Sequence, residues 1–398
     1  MDTTASIISQ LFTKFQEFKI DRITSNEYLF PENSESKSTF RWSGQFPSKL
    51  AGVLLDLYSK KGDTVLDPFM GSGTVLFEAA KRSLDCVGTD INPAAITLSK
   101  TVKFCNMNLE SRKEYLEKIY LIIKKLIESF DKQTKMGGKF TTNDYTSIKL
   151  KINSIKDQNM RNLFLNILMR LSISEDKYTI TGLIKSFQIH SKIIEELPYN
   201  SKSCRVFNSD ARELPLKSKS VDLIITSPPY PNVFDYYKNY KKIMYLAGWF
   251  ISETSKKEIG HGKGTGNKFL DLINYMSDMN KALIEMRRVL KEDGRLILIM
   301  NRESEINKIK VHNSELLYSI ASGASGLEMV AKQERHFKNR HGDELQEDIL
   351  HFIPSRNKFE IADNYSTKAV SYLLEKTISP SDIKSRKLLK DALNTLTK

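Results

Sequence analysis

The apolar positions of this chain follow two spacings that alternate along it. Short runs at Thr64-Val65-Leu66, Cys86-Val87-Gly88-Thr89 and Arg205-Val206-Phe207, and a largely apolar one at 221–225, predict buried strands, being too short for helices. Residues 75–82 and 282–290 instead carry apolar positions at helical spacing. Lys291-Glu292-Asp293-Gly294 then reads as a turn, 295–300 as a buried strand, and 327–332 and 348–353 as two final strands. Strands alternating with helices in this way predict an α/β fold.

The alternation stops near residue 104 and returns near 204. Between them, 115–130 places Leu116, Ile119, Tyr120, Ile123 and Leu126 at helical spacing, with Lys118, Lys124 and Lys125 interleaved. A turn is expected at 136–142, which holds Gly137 and Gly138, and amphipathic helices at 159–171 and 181–196. The expected organisation is therefore an N-terminal segment with the first half of an α/β domain (1–104), a mainly helical insertion lobe (105–203), the second half of the domain (204–355) and a helical extension (356–398). In that extension, helical patterning at 369–376 and 383–396 flanks Pro380.

Candidate chemistry sits where predicted strands end. After 64–66 comes Asp67-Pro68-Phe69-Met70-Gly71-Ser72-Gly73-Thr74, which reads as a glycine-rich turn opening a helix. Gly71 and Gly73 let a backbone approach a ligand closely, and the helix start presents free amides and a positive dipole end. The second strand ends in Asp90 and the third in Asn208-Ser209-Asp210-Ala211; in Rossmann-like sheets an acid at the second position accepts from ribose hydroxyls. Each acid alone reads more readily as a helix N-cap, and it is the three strand ends in order that point to a ligand. The fourth strand runs into Thr226-Ser227-Pro228-Pro229-Tyr230, where a hydroxyl, a carbonyl whose residue lacks an amide donor, and an aromatic ring are fixed together. That set suits an exocyclic amine on a flat ring, donating to Ser227 and to the Pro228 carbonyl while Tyr230 stacks on the base. A β-turn after a buried strand accounts for the same residues without chemistry.

The combination of DPFMGSGT at 67–74 with TSPPY at 226–230 resembles the S-adenosylmethionine-dependent amino-methyltransferases of DNA, the second motif in its N4-cytosine form. The resemblance covers roughly 40–104 and 204–353 and implies a class I methyltransferase fold: a seven-stranded, mostly parallel sheet closed by an antiparallel hairpin, with helices on both faces. It implies that Asp67, Gly71 and Gly73 surround the methionine part of the cofactor, that Asp90 holds the ribose, and that Asp210 lies near the adenine amino group, with Pro68, Phe69, Ser72, Thr74, Ile91 and Ala211 beside them. Phe46, Pro47 and Ser48 match the segment that closes over the methionine end, although Trp42-Ser43-Gly44 stands where a His-Pro lead-in is usual. Ser227, Pro228, Pro229 and Tyr230 would be the catalytic set, acting on the N4 amine of a cytosine flipped out of duplex DNA. Adenine-N6 enzymes more often carry Asp or Asn at the Ser227 position. The guanine-N2 enzymes of transfer RNA usually show Asp-Pro-Pro-Tyr and an added N-terminal RNA-binding domain, and a binding protein that keeps the fold without transferring methyl groups is a further alternative. The resemblance implies a restriction-modification role, with a possible cognate endonuclease, or a solitary enzyme.

Composition adds to this only in part. A formal net charge of +13 and a pI near 9.3 suit a double-stranded DNA partner, although the chain's Lys, Ile and Asn bias would also follow from AT-rich coding DNA. The insertion is a candidate for reading base edges, or else a lid or scaffold. Lys256, Lys257, Lys263 and Lys268 lie among glycines of one loop, and Arg335, Lys338 and Arg340 near an expected hairpin tip; both sets are candidate phosphate contacts or merely solvated loops. The three cysteines, Cys86, Cys105 and Cys204, show neither a Pro-Cys context nor CxxC spacing, which argues against C5-cytosine chemistry, structural zinc and a disulfide framework, and no metal site is expected. The absence of an 18-residue apolar run and of a signal-peptide start leads to the expectation of a cytoplasmic protein without a membrane span.

Overall fold

The structure, a computed structural model, describes residues 3–21, 40, 42, 47–230, 240–250, 255–260, 266–338, 344–356 and 364–396. In chain order its strands are β1 (Thr64–Asp67), β2 (Asp85–Asp90), β3 (Cys204–Asn208), β4 (Val221–Thr226), β5 (Leu290–Asn301), β6 (Glu303–Ile306), β7 (Ile309–His312), β8 (Leu327–Lys338) and β9 (Glu344–Pro354). Seven of them form one sheet in the order β3-β2-β1-β4-β5-β9-β8, and β6 pairs with β7 in a separate hairpin. The five strands from β3 to β5 are parallel neighbours. Strand β9 runs antiparallel to both β5 and β8. This is the class I methyltransferase sheet expected above. Its order reverses between β1 and β4, so the ligand crevice of an open α/β sheet falls at the carboxyl ends of these two strands.

Alternation along each strand sends successive side chains to opposite faces, and each face has its own core. Val65, Leu223, Ile225, Ile297 and Ile299 point into one apolar cluster; Leu66, Ile224, Leu296, Leu298 and Met300 point into the other. Helices Ser48–Tyr58, Thr74–Lys81 and Pro93–Ser99 cover the first face. Helices Lys268–Val289 and Asn313–Ala324 cover the second, together with the N-terminal helix Thr3–Glu17 and the C-terminal helices Tyr365–Thr377 and Ile383–Leu396. The C-terminal extension thus docks on the α/β domain, and Tyr372 donates from its hydroxyl to Ser9 Oγ at 2.8 Å.

The insertion is helical, with helices at Leu109–Glu128, Thr142–Ser154, Gln158–Leu171 and Ile180–Glu196, but it does not stand apart as a lobe. Ile119, Ile123, Leu163, Phe164, Ile167 and Leu183 belong to the same core as Leu54, Leu76 and Val102 of the first half. Asn166 donates to Thr97 O at 3.1 Å and to Thr101 Oγ1 at 2.7 Å, in a wholly buried site. The buried Arg112 donates to the carbonyls of Phe104, Met107, Ile194, Leu197 and Pro198, so one guanidinium ties both ends of the insertion together.

Three element boundaries differ from the sequence reading. The helix expected at 282–290 begins at Lys268, because Asn267 caps it by accepting from the amides of Phe269 and Leu270. The expected turn at 291–294 is the start of β5, which meets β4 through an irregular register between Val221 and Leu223. The last two strands are also longer than expected, so β8 and β9 pair as far as Lys338 and Glu344. The hairpin of β6 and β7, directly after β5, was not foreseen.

Candidate active site

The carboxyl ends of β1, β2, β3 and β4 converge on one open pocket, where an open α/β sheet places its ligand crevice. Asp67, Pro68, Phe69, Gly71, Ser72, Thr74, Asp90, Ile91, Asp210, Ala211, Ser227, Pro228, Pro229 and Tyr230 all line it. The fold therefore brings together residues drawn from 67 to 230 that the sequence singled out separately.

The turn after β1 is held from several sides. Gly71 and Gly73 have φ of +49° and +88°, a region that side chains disfavour. A Cβ on Gly71 would lie 2.8 Å from Trp42 Cδ1, and one on Gly73 would lie 3.2 Å from Ser99 Cα. Ser99 Oγ donates to Gly71 O at 2.7 Å, and Thr89 Oγ1 to Pro68 O at 3.0 Å. The turn is thus preformed, and Gly73 caps the helix Thr74–Lys81 rather than lining the pocket.

Two acids of the pocket are perturbed. Asp67, 3% exposed, accepts from Thr226 Oγ1 at 2.6 Å and from the Phe69 amide at 3.1 Å. Burial nevertheless pushes its carboxyl up to about 7, with the nearby Asp90 adding to the shift. Asp90 accepts from the Gly71 amide at 3.0 Å and the Asn92 amide at 2.8 Å, one on each oxygen, and burial raises it to about 6. A carboxylate offers about four acceptor sites, so Asp90 keeps capacity for a ligand hydroxyl. A buried acid and a partly exposed one beside a glycine cradle fit a ligand that carries positive charge and vicinal hydroxyls, as S-adenosylmethionine does; held there, it supplies a methyl group on an electron-poor sulfur.

A pH dependence follows from these two carboxyls. Both folded values lie above the ordinary 3.8, so the unliganded fold retains protons that the unfolded chain has lost. The two acids therefore lower the stability of the unliganded protein as pH rises from about 4 through 7. A cationic ligand favours their ionised forms. Its affinity is expected to rise with pH and to level off above about 8, with a fall approaching roughly tenfold per pH unit between about 7 and 6, where Asp67 alone is protonated, and a steeper one below 6, where both acids are. Calorimetric titration in buffers of different ionisation enthalpy checks this through the uptake of the released proton; a pH-independent affinity between pH 5 and 8 would contradict it.

Sequence reasoning missed three residues here. Trp42 lines the pocket, and its ring lies parallel to that of Tyr240 with centroids 5.9 Å apart. Arg212 grips Asp210 through two nitrogens (2.9 and 2.6 Å), reaches Asp278 at 2.9 Å and donates to the Lys257 carbonyl at 2.8 Å. Asp210 is thereby committed on both oxygens, and the carboxylates around Arg212 raise its already high pKa. Glu347, from β9, accepts from the Tyr230 hydroxyl at 3.0 Å and from Arg335 Nε at 2.7 Å. The hint for Arg212 was its place two residues after Asp210; nothing local marks Glu347.

Other expected contacts fall elsewhere. Pro47 and Ser48 sit at the start of the helix Ser48–Tyr58 and do not line the pocket. Lys257 lines the pocket rim, while Lys256 and Lys268 are exposed outside it. Arg335 must be corrected: it lies within β8, 4% exposed and ion-paired, not at a hairpin tip open to phosphate. Lys338 ends that strand. Phe46, Lys263 and Arg340 lie outside the described residues. Cys86, Cys105 and Cys204 are buried and none lines the pocket; burial pushes the Cys105 thiol up to about 12. Among the described residues no helix is long and apolar enough to cross a membrane.

Sheet order, glycine turn and strand-end acids are those of the class I methyltransferase fold. The chain belongs to the DNA methylase family, whose profile matches residues 13–101 and 221–392 and leaves out the insertion. It is 23% identical over 269 residues to the Type II methyltransferase M.BsoBI of Geobacillus stearothermophilus, covering 54% of this chain and 53% of that protein. It thus spans about half the length of that relative. M.MjaII of Methanocaldococcus jannaschii, also a Type II methyltransferase, is 20% identical over 401 aligned positions, 69% of this chain and 74% of its own. A solved S-adenosylmethionine-dependent methyltransferase of Methanosarcina mazei aligns over 76% of this chain and 98% of its own at 11% identity, with a TM-score of 0.36.

Proposed function

We propose that this chain methylates duplex DNA at the exocyclic N4 amine of cytosine, as the modification enzyme of a restriction-modification system. The observation that carries this reading is the position of Ser227 and Pro228 at the end of β4, on the wall of the same pocket as Asp67 and Asp90. An exocyclic amine is a poor nucleophile because its lone pair is delocalised into the ring. Ser227 Oγ and the Pro228 carbonyl would accept its two N–H groups, and Pro228 has no amide hydrogen to compete with them. Acceptance in this geometry favours a pyramidal nitrogen with its lone pair aimed at the methyl donor. Positioning and electrostatics then supply most of the rate, and the chain forms no covalent bond to the base. Tyr230 would stack on the base once it is flipped out of the duplex. Asp67 and Asp90 would hold the cofactor, and Lys257, which lines the pocket, would meet a phosphate.

Serine rather than an acid at position 227 favours cytosine over adenine. The cysteines, buried away from the pocket, support N-methylation over C5 chemistry, which needs an accessible thiolate. The family match and the Type II relatives support DNA as the substrate. Incubation with S-adenosylmethionine and unmethylated genomic DNA, followed by digestion to nucleosides and mass spectrometry, is expected to yield N4-methylcytosine. N6-methyladenine would overturn the choice of base, and no methylated nucleoside from DNA would overturn the reading as a whole.

A further inference from the structure

The buried pair Arg335–Glu347 has no place in the chemistry above, yet it reaches the pocket. The two residues face each other across the antiparallel strands β8 and β9 as register partners. Their side chains are 5% and 11% exposed, and the guanidinium also lies over the Phe337 ring, 4.4 Å from its centroid. One Glu347 oxygen takes the Arg335 Nε proton at 2.7 Å; the other accepts from the Tyr230 hydroxyl at 3.0 Å. Tyr230 follows β4, and β5 separates β4 from β9 in the sheet, so this hydrogen bond crosses β5 from the reacting loop to the antiparallel strand β9.

We propose that Glu347, held by Arg335, is a positioning residue that fixes the ring of Tyr230 for stacking on the extruded base. The inference rests on the reading of Tyr230 given above. A stacking residue contributes through the placement of its ring, and packing at one side, such as the second-face core gives Tyr230, leaves the far end of a ring some rotational freedom. A hydroxyl held by a carboxylate removes that freedom at the far end of the ring. The carboxylate is in turn costly to bury unless paired. Arg335 meets that need from the next strand, and packing against Phe337 holds it in place. The anchor belongs to the sheet and not to the loop that carries Tyr230.

The test is a double-mutant cycle read by single-turnover transfer of tritiated methyl to unmethylated genomic DNA, with cofactor affinity and the KM for DNA measured in parallel. Tyr230→Phe keeps the ring and removes the tie; it is expected to slow transfer about tenfold, the worth of one hydrogen bond to a charged group, with KM and cofactor affinity unchanged within about twofold. Glu347→Gln is expected to slow transfer in the presence of Tyr230 and to have no further effect once Tyr230→Phe has removed the tie. Multiplicative effects in the double variant, or a full rate for Tyr230→Phe, would overturn the proposal. If Glu347→Gln does not fold, Tyr230→Phe alone decides. Tyr230→Ala separates this inference from the reading beneath it: wild-type rate for that variant would sink the stacking role itself, whereas an inactive alanine variant beside a fully active phenylalanine one would sink only the anchor.

Discussion

Replacing Ser227 with alanine is expected to lower the rate of methyl transfer by about 10²–10³-fold, the usual cost of deleting one preorganised hydrogen-bonding group at a reacting centre, while the affinity for S-adenosylmethionine stays within about twofold. The separation follows from the layout of the pocket. Ser227 lies past the end of β4, where its hydroxyl has no part in the network that holds the glycine turn; Thr226, one residue earlier, is the side chain that donates to Asp67. Alanine at 227 therefore removes one acceptor for the target amine and leaves the acids untouched. Ser227→Asp is the informative companion, since a carboxylate offers stronger acceptance from an amine. Equilibrium binding of the cofactor and single-turnover transfer on DNA measure the two effects separately. A parallel loss of cofactor affinity in the alanine variant would place Ser227 in the wrong half of the site.

Asp90→Ala is expected to act the other way, weakening S-adenosylmethionine binding by about 10²-fold or more. On the proposed reading Asp90 serves two purposes at once. Its oxygens accept from the amides of Gly71 and Asn92, which shapes the turn, and their remaining lone pairs are available to the ribose. Hydrogen bonds to a charged group are each worth about 1.5–3 kcal/mol, so losing two at the ligand alone gives the stated effect. Asp90→Asn keeps one acceptor oxygen and should fall between. Titration calorimetry on the purified protein provides the check. Undiminished affinity in the alanine variant would show that the ribose is held elsewhere, and transfer by that variant should recover in part at saturating cofactor, since Ser227 and Tyr230 are unchanged.

What was legible in the sequence was whatever depends on near neighbours in the chain. The apolar runs at 64–66, 86–89 and 221–225 became β1, β2 and β4 with shifts of one residue, because a strand buried on both faces needs an unbroken apolar stretch. The strand-end acids and the Ser-Pro-Pro-Tyr turn were visible for the same local reason. Contacts between distant segments were not. Arg335 looked like a surface cation because its counter-ion, Glu347, lies across a strand pair. The helix Thr142–Ser154 escaped because its inward face is marked by few apolar residues, with Ile148 and Ile152 the buried pair and Asp144 satisfied in a capping box. The hairpin β6–β7 is built from two strands of four residues each, mostly polar, and its existence depends on what packs beneath Ile306 and Val311.

The insertion's shared core also bears on how this chain can change its target. If DNA sequence is read from residues between 105 and 203, that reader is not an exchangeable cassette. The helix Gln158–Leu171 buries Leu163, Phe164, Leu165, Ile167, Leu168, Met169 and Leu171, and its neighbours include the helix Pro93–Ser99 beside the pocket. Swapping the whole segment for that of a relative would discard one wall of the catalytic domain's own interior. New specificity in this lineage is therefore expected to arise by substitution on the outward faces of these helices, one contact at a time, and library designs should vary those faces while leaving the inner ones fixed.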